Sequence, residues 1–141
     1  MSRYCLDTSA YSRFKRGDPQ AVDLLDRAEW IGVPAVTLGE LRTAFLLGNR
    51  EERNEAELAD FLANPVVEQL PVDGEVSRHY AGIVADLRRA GTPLPTNDVW
   101  IAATAARAGA LVLTCDRHFR KVARVGALVL GDGADDEDGH S

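Results

Sequence analysis

Short apolar runs alternating with helical segments predict an α/β fold: a central parallel sheet of about five strands with helices on both faces. The runs at residues 4–6, 30–33, 66–72, 111–114 and 128–130 have strand length. Between them, apolar residues recur at helical spacing, most clearly Val76, Tyr80, Ile83, Val84 and Leu87. The pattern has no internal repeat and fits one domain over 1–130, since single domains commonly hold about 100 to 200 residues. A hydrophobic content of 45% suffices for a packed core.

Residues 4–6 form the first strand and end at Asp7. Residues 8–16 continue as a helix that Gly17 stops. Asp18 at an N-cap and Pro19 at the first helical position start the next helix, with Val22, Leu25 and Ala28 on its apolar face and Leu24 alongside. The second strand, 30–33, leads through Pro34 to a helix whose Leu38, Leu41, Ala44, Phe45 and Leu47 mark the buried side, ended by Gly48-Asn49. A charged helix over 51–63 keeps an apolar stripe of Leu58, Phe61 and Leu62, and Asn64-Pro65 closes it. After the third strand, the helix over 75–90 stops at Gly91. The loop 92–96 delivers Asn97 and Asp98 to an alanine-rich helix, whose small side chains permit close packing. Residues 131–141 are Gly-rich and acidic, with no apolar residue beyond Ala134, and are expected to form a disordered tail that leaves His140 solvated.

No stretch approaches the roughly 18 apolar residues of a membrane-spanning helix, and the first residues resemble a strand rather than a signal peptide. A cytoplasmic protein is expected. Cys5 and Cys115 form neither a disulfide framework nor a zinc-type cluster, and buried thiols are expected. The net charge of −6 argues at first against a nucleic-acid partner. Five of the 22 acids, however, lie in the tail: Asp132, Asp135, Asp136, Glu137 and Asp138. The remaining 17 face 16 basic residues. Neutralising the four acids described next would leave that body positive by 3, with Arg13, Lys15 and Arg16 clustered soon after Asp7 as candidate phosphate contacts.

Asp7, Glu40, Asp98 and Asp116 each stand where an apolar run ends or a helix begins. Ligands of parallel sheets bind beyond the carboxyl ends of the strands, where Asp7 and Asp116 fall. Glu40 and Asp98 lie in first turns of helices that start on the same side. Each has a plainer explanation. Thr37-Leu38-Gly39-Glu40 fits a capping box, Asp98 complements a helix N-terminus, Asp7 is a possible N-cap, and Asp116 opens the turn Asp116-Arg117-His118. Four such coincidences on one rim point instead to a shared site. Converging carboxylates need a cation or a raised pKa. Oxygen-only ligation favours Mg²⁺ or Mn²⁺, with Cys115 and His118 flanking only Asp116. A divalent ion lowers the pKa of a bound water, polarises a phosphoryl oxygen and steadies a leaving alkoxide, which together are what phosphodiester hydrolysis requires.

Leu6-Asp7-Thr8-Ser9 is similar to the opening motif of PIN-domain ribonucleases, and Glu40-Leu41 to their second acidic motif. Asn97-Asp98 with Ile101-Ala102-Ala103-Thr104-Ala105 resembles the third, and Thr114-Cys115-Asp116-Arg117-His118-Phe119 the fourth. The resemblance extends from about Arg3 to Leu130, and order and spacing are most similar to the VapC toxins of toxin-antitoxin pairs. It implies a PIN-like three-layer fold, a Mg²⁺- or Mn²⁺-dependent endoribonuclease, a homodimer and inhibition by a VapB-like antitoxin. It further implies Asp7, Asp98 and Asp116 as metal ligands, directly or through water, with Glu40 orienting a metal water or ligating a second ion. Thr8, Ser9 and Thr114 are then placed to hydrogen-bond the carboxylates or the scissile phosphate, with a helix cap as the competing role for Ser9. On this resemblance Arg13, Lys15 and Arg16 become candidate RNA contacts.

For His118, at a recurrent position of the fourth motif, a structural hydrogen bond is expected. Trp100 is expected in the core in preference to a base-stacking role. Leu46, Leu47, Leu58 and Leu62 mark a region for an antitoxin or second protomer. The alternatives are a PIN RNA-processing nuclease outside a toxin-antitoxin pair, a non-catalytic relative that would have lost acids, and a phosphatase-like domain forming an aspartyl-phosphate on Asp7. The last normally carries a second Asp two residues on, where this chain has Ser9.

Overall fold

The computed structural model describes residues 2–131. The acidic tail expected from residue 131 onward therefore lies outside the described residues, except for Gly131. In chain order the elements are β1 (Arg3–Leu6), α1 (Thr8–Lys15), α2 (Pro19–Asp26), β2 (Trp30–Pro34), α3 (Ala35–Leu47), α4 (Glu51–Leu62), β3 (Val67–Leu70), α5 (Gly74–Ala90), α6 (Thr96–Ala108), β4 (Leu111–Thr114), a 3₁₀ turn (Arg117–Lys121) and β5 (Ala127–Val129). The strands form one sheet in the order β3-β2-β1-β4-β5, with every pairing parallel.

Successive residues of a strand point to opposite faces, and β1 and β4 use both. Tyr4, Leu6 and Leu113 join the core under α1–α4, whereas Cys5 and Val112 join the core under α5 and α6. The result is three layers. α6 is apolar nearly all round, with Ile101, Ala102, Ala103 and Ala105 fully buried; its alanines let its backbone lie close to the sheet. Trp100 stacks on Tyr80 of α5, ring centroids 3.8 Å apart, as a helix-packing residue.

Local signals account for most boundaries. The Asp18 side chain accepts the Ala21 N–H at 3.1 Å and Pro19 opens α2, as capping physics requires. α5 ends at Gly91, whose φ of 70° is the left-handed conformation that glycine adopts without cost, and the Thr92 N–H closes on the Leu87 carbonyl.

α3 differs from expectation in several respects: it begins at Ala35, so Glu40 lies in its second turn rather than its first, and Ala44, expected on the buried side, is exposed. Its N-cap is Pro34, and Thr37, buried within the helix, donates its hydroxyl to the Leu6 carbonyl at 2.8 Å. The capping box, the plainer alternative for Glu40, is therefore absent, and Thr37 instead pins the start of α3 to the end of β1. Leu47, expected on the buried side, is 84% exposed and Leu46 65%, whereas Leu58 is fully buried and Leu62 packs against the same core. Those four leucines do not share one surface. Gly39 sits inside α3, where glycine costs about 0.5–1 kcal/mol relative to alanine.

Candidate metal centre

β1 and β4 are neighbours whose chain connections run to opposite sides of the sheet, which makes the gap beyond their carboxyl ends the topological switch point where open α/β sheets bind ligands. Asp7 follows β1 directly, and Thr114, Cys115 and Asp116 carry the chain out of β4. The Thr37 hydrogen bond draws the first turns of α3, and with them Glu40, toward β1. α6 begins at Thr96, so Asp98 lies in its first turn. A pocket of about 760 Å³ is lined by Asp7, Thr8, Ser9, Glu40, Asp98, Cys115, Asp116, Arg117 and His118. All four predicted acids meet there, together with Thr8 and Ser9.

Each carboxylate is held by identifiable donors. Asp7, 7% exposed, accepts the Thr114 hydroxyl at 2.7 Å and the Ser9 hydroxyl at 2.9 Å, both on Oδ2. These hydroxyls have their direction fixed by the backbone: Thr114 accepts the Asp116 N–H and Ser9 accepts the Cys115 N–H, each at 3.0 Å. Their own hydrogens are thus committed to Asp7. Although Asp7 occupies the N-cap position of α1, its side chain makes no capping bond. Glu40 accepts the Thr8 hydroxyl on Oε1 at 2.5 Å and the Asn97 amide on Oε2 at 3.1 Å. Asp116 does open its turn, accepting the His118 N–H at 2.8 Å, and the His118 ring Nδ1 lies 2.9 Å from the same oxygen. The hydrogen bond expected of His118 is therefore present.

Electrostatics reflect the crowding. Burial pushes the Asp7 carboxyl above the usual range, outweighing the hydroxyls that favour its charge. Asp98 is pushed up to about 6, first by burial and then by the facing charges of Asp7, Asp116 and Glu40, with His118 in opposition. Burial and the facing carboxylates thus disfavour the charged forms of Asp7 and Asp98 in particular. Among the described residues, no group of three or more His, Cys, Asp or Glu side chains is placed to hold a metal ion. A wide pocket with oxygen donors fits Mg²⁺, which keeps several waters and takes only one or two carboxylates directly.

The three basic candidates are not brought to the pocket. Arg13 pairs with Asp18 at 3.8 Å, Lys15 pairs with Glu57 at 3.6 Å, and Arg16 is exposed just beyond α1. The helix carries them away, since residues 13 and 15 lie roughly 9 and 12 Å along its axis from Asp7 at 1.5 Å per residue. Arg117 lines the pocket instead. Cys5 is a buried thiol pushed up to about 12 by burial, as expected, but Cys115 is only half-buried and faces the pocket. Asn97 is the other polar residue whose role sequence spacing left unassigned; its place beside Asp98 was its only signal.

Fold and site together define a three-layer parallel α/β domain with a carboxylate-rimmed crevice at its switch point. The chain belongs to the PIN-domain family, whose model matches residues 4–125. It is 35% identical over 130 residues to Ribonuclease VapC4 of Mycobacterium tuberculosis, covering 91% of this chain and 97% of that protein. Ribonuclease VapC5 of the same organism is 32% identical over 114 residues, covering 81% and 83%. Among solved structures, DNA-bound VapBC from Salmonella typhimurium matches with a TM-score of 0.81 and 26% identity, over 92% of this chain and 98% of that one. VapBC-5 of M. tuberculosis matches with a TM-score of 0.73 and 28% identity, over 92% and 100%. The phosphatase-like alternative loses its basis, since Ser9 serves Asp7 as a hydrogen-bond donor and the family is a different one.

Proposed function

We propose that this chain is a Mg²⁺- or Mn²⁺-dependent endoribonuclease acting in the cytoplasm, the VapC-like toxin of a toxin-antitoxin pair that a VapB-like antitoxin holds inactive. The single observation that carries the reading is the convergence of Asp7, Glu40, Asp98 and Asp116 on one pocket at the switch point. Relatives bearing ribonuclease names, and structural neighbours solved as VapBC complexes, support the substrate and the partner. No helix among the described residues is long and apolar enough to cross a membrane. The homodimer is part of the same proposal.

When bound, a divalent ion supplies a water of lowered pKa and neutralises charge on the phosphoryl oxygens. Asp7, Asp98 and Asp116 would hold that ion directly or through its waters. Ser9 and Thr114 keep Asp7 in one orientation by loading Oδ2 with two hydrogen bonds, and Thr8 and Asn97 do the same for Glu40. With these hydroxyls directed to carboxylates, Arg117 is the cationic side chain on the rim that meets the phosphate.

The test is incubation of total cellular RNA with the purified protein in Mg²⁺, Mn²⁺ or EDTA, followed by sequencing of the new ends. Discrete products that need the ion and disappear on adding a cognate VapB-like protein support the reading. Cleavage that persists in EDTA, or in folded Asp7→Asn protein, contradicts it.

A further inference from the structure

The acidic pocket does not end at Glu40. A second concavity of about 520 Å³, lined by Val36, Gly39, Thr43 and Asn97, shares the Glu40 carboxylate as a common wall. It is a shallow, open depression: Gly39, Thr43 and Asn97 are exposed and only Val36 and Glu40 are half-buried, which suits one flat face of a ligand rather than an enclosed molecule. Three observations indicate its occupant.

First, α3 presents bare backbone there. The φ of Gly39 is not positive, so its conformation does not require glycine. A Cβ built on it meets nothing within 4 Å, so no neighbour requires glycine either. Alanine would stabilise the helix at this position. A ligand that must approach the backbone closely explains why the side chain is missing. Second, no Lys, Arg or His lines the concavity, so it is not a seat for phosphate. Third, its lining offers an amide beside an apolar wall. Asn97 is exposed and places one amide hydrogen on Glu40 at 3.1 Å, which fixes its amide plane with the remaining hydrogen and the oxygen turned to solvent. Val36 is half-buried and supplies apolar surface, while the Thr43 hydroxyl is already donated to the Gly39 carbonyl at 2.8 Å. An asparagine amide reads the edge of a base, and unstacked bases are what proteins recognise in single-stranded RNA.

We propose that this concavity is a base-recognition subsite, which holds the nucleobase adjoining the cleaved bond of single-stranded RNA against the bare face of α3 at Gly39. The subsite rests on the ribonuclease reading above. It divides the labour as nucleic-acid recognition generally does, with Arg117 on the rim of the acidic pocket to position the backbone and uncharged groups beside it to select sequence.

The test uses a randomised single-stranded RNA library and the full chain as wild type, Gly39→Ala, Gly39→Leu and Asp98→Asn, each checked by thermal unfolding. Wild-type cuts are expected to share a preferred base at one position next to the cut. Gly39→Leu, which projects a side chain from α3 into the depression, flattens that preference and lowers kcat/KM on preferred sequences by roughly tenfold or more. Gly39→Ala raises the unfolding temperature and still weakens the preference, an outcome that a merely structural glycine does not give. Folded Gly39→Ala and Gly39→Leu proteins that keep the wild-type preference and rate overturn the subsite. Undiminished cutting by Asp98→Asn, or none by wild type, counts against the nuclease reading instead. The subsite is then decided by selecting bound sequences from the same library: enrichment that Gly39→Leu erases supports it, and enrichment that survives, or none, overturns it.

Discussion

The Thr114 hydroxyl donates to Asp7 Oδ2 across 2.7 Å, although 107 positions separate the two residues in the chain. Parallel pairing of β1 with β4 brings them together, and the same hydroxyl accepts the Asp116 N–H. One buried side chain thereby orients the first acid of the site and fixes the backbone that presents the last.

Thr114→Val keeps the shape and removes both bonds. Loss of a hydrogen-bond partner behind a metal ligand typically costs about 10- to 100-fold in metal affinity or activity. The buried groups left unpaired cost about 1–3 kcal/mol of stability. Mn²⁺ titration and urea unfolding of the variant measure the two effects; a wild-type Mn²⁺ affinity would show that Thr114 does not orient Asp7.

Asp98 makes stability depend on pH in a direction opposite to that of most paired carboxylates. Its pKa rises from 3.8 to about 6 on folding, so across that interval the folded chain holds the proton more tightly than the unfolded one. Its contribution to stability is full below 3.8, falls as pH rises toward 6 and is lost above it; Asp7, also raised, adds the same sign. In EDTA, Asp98→Asn is expected to match wild type near pH 4 and to unfold at a higher temperature than wild type by pH 7. Addition of Mg²⁺ narrows that gap by stabilising the wild type. A gap that does not change with pH would refute the raised Asp98 pKa that burial, and after it the facing carboxylates, produce.

Thr37→Val removes the tie between α3 and the Leu6 carbonyl. A buried carbonyl loses its partner, at about 1–3 kcal/mol, and RNA cleavage falls because Glu40 is carried on the loosened turn. Denaturant unfolding and initial cleavage rates are the readouts. Lost stability with an unchanged rate would separate Thr37 from the placement of Glu40.

Arg117, rather than the cluster after Asp7, is expected to meet phosphate. Each phosphate contact to a single strand contributes about 0.7 to the slope of log affinity against log salt. Arg117→Ala should reduce that slope by about this amount, and Lys15→Ala should leave it unchanged. The reverse result would return the RNA path to the end of α1.

Most of the fold was legible because its signals are local. Asp18-Pro19, Gly91 and the period of Val76, Ile83 and Leu87 specify ends and faces through neighbours within a few residues. Alternating strands and helices then gave the parallel sheet, and its carboxyl edge gave the four acids of the pocket. What failed depended on distant partners. Thr37 looked like a capping residue because its true acceptor, the Leu6 carbonyl, lies 31 positions away. Leu47 kept the helical period of α3 after the helix had run past the core that would bury it. Arg13 and Lys15 are near Asp7 in sequence, but the rise of α1 takes them to Asp18 and Glu57.

The central claim, that four acids from four parts of the chain make one metal site, is tested most directly by Mn²⁺ binding to wild type and to folded Asp7→Asn, Glu40→Gln, Asp98→Asn and Asp116→Asn proteins. The expected result is weaker binding in all four, by about tenfold or more for each. Wild-type affinity in two or more of them would contradict a shared centre.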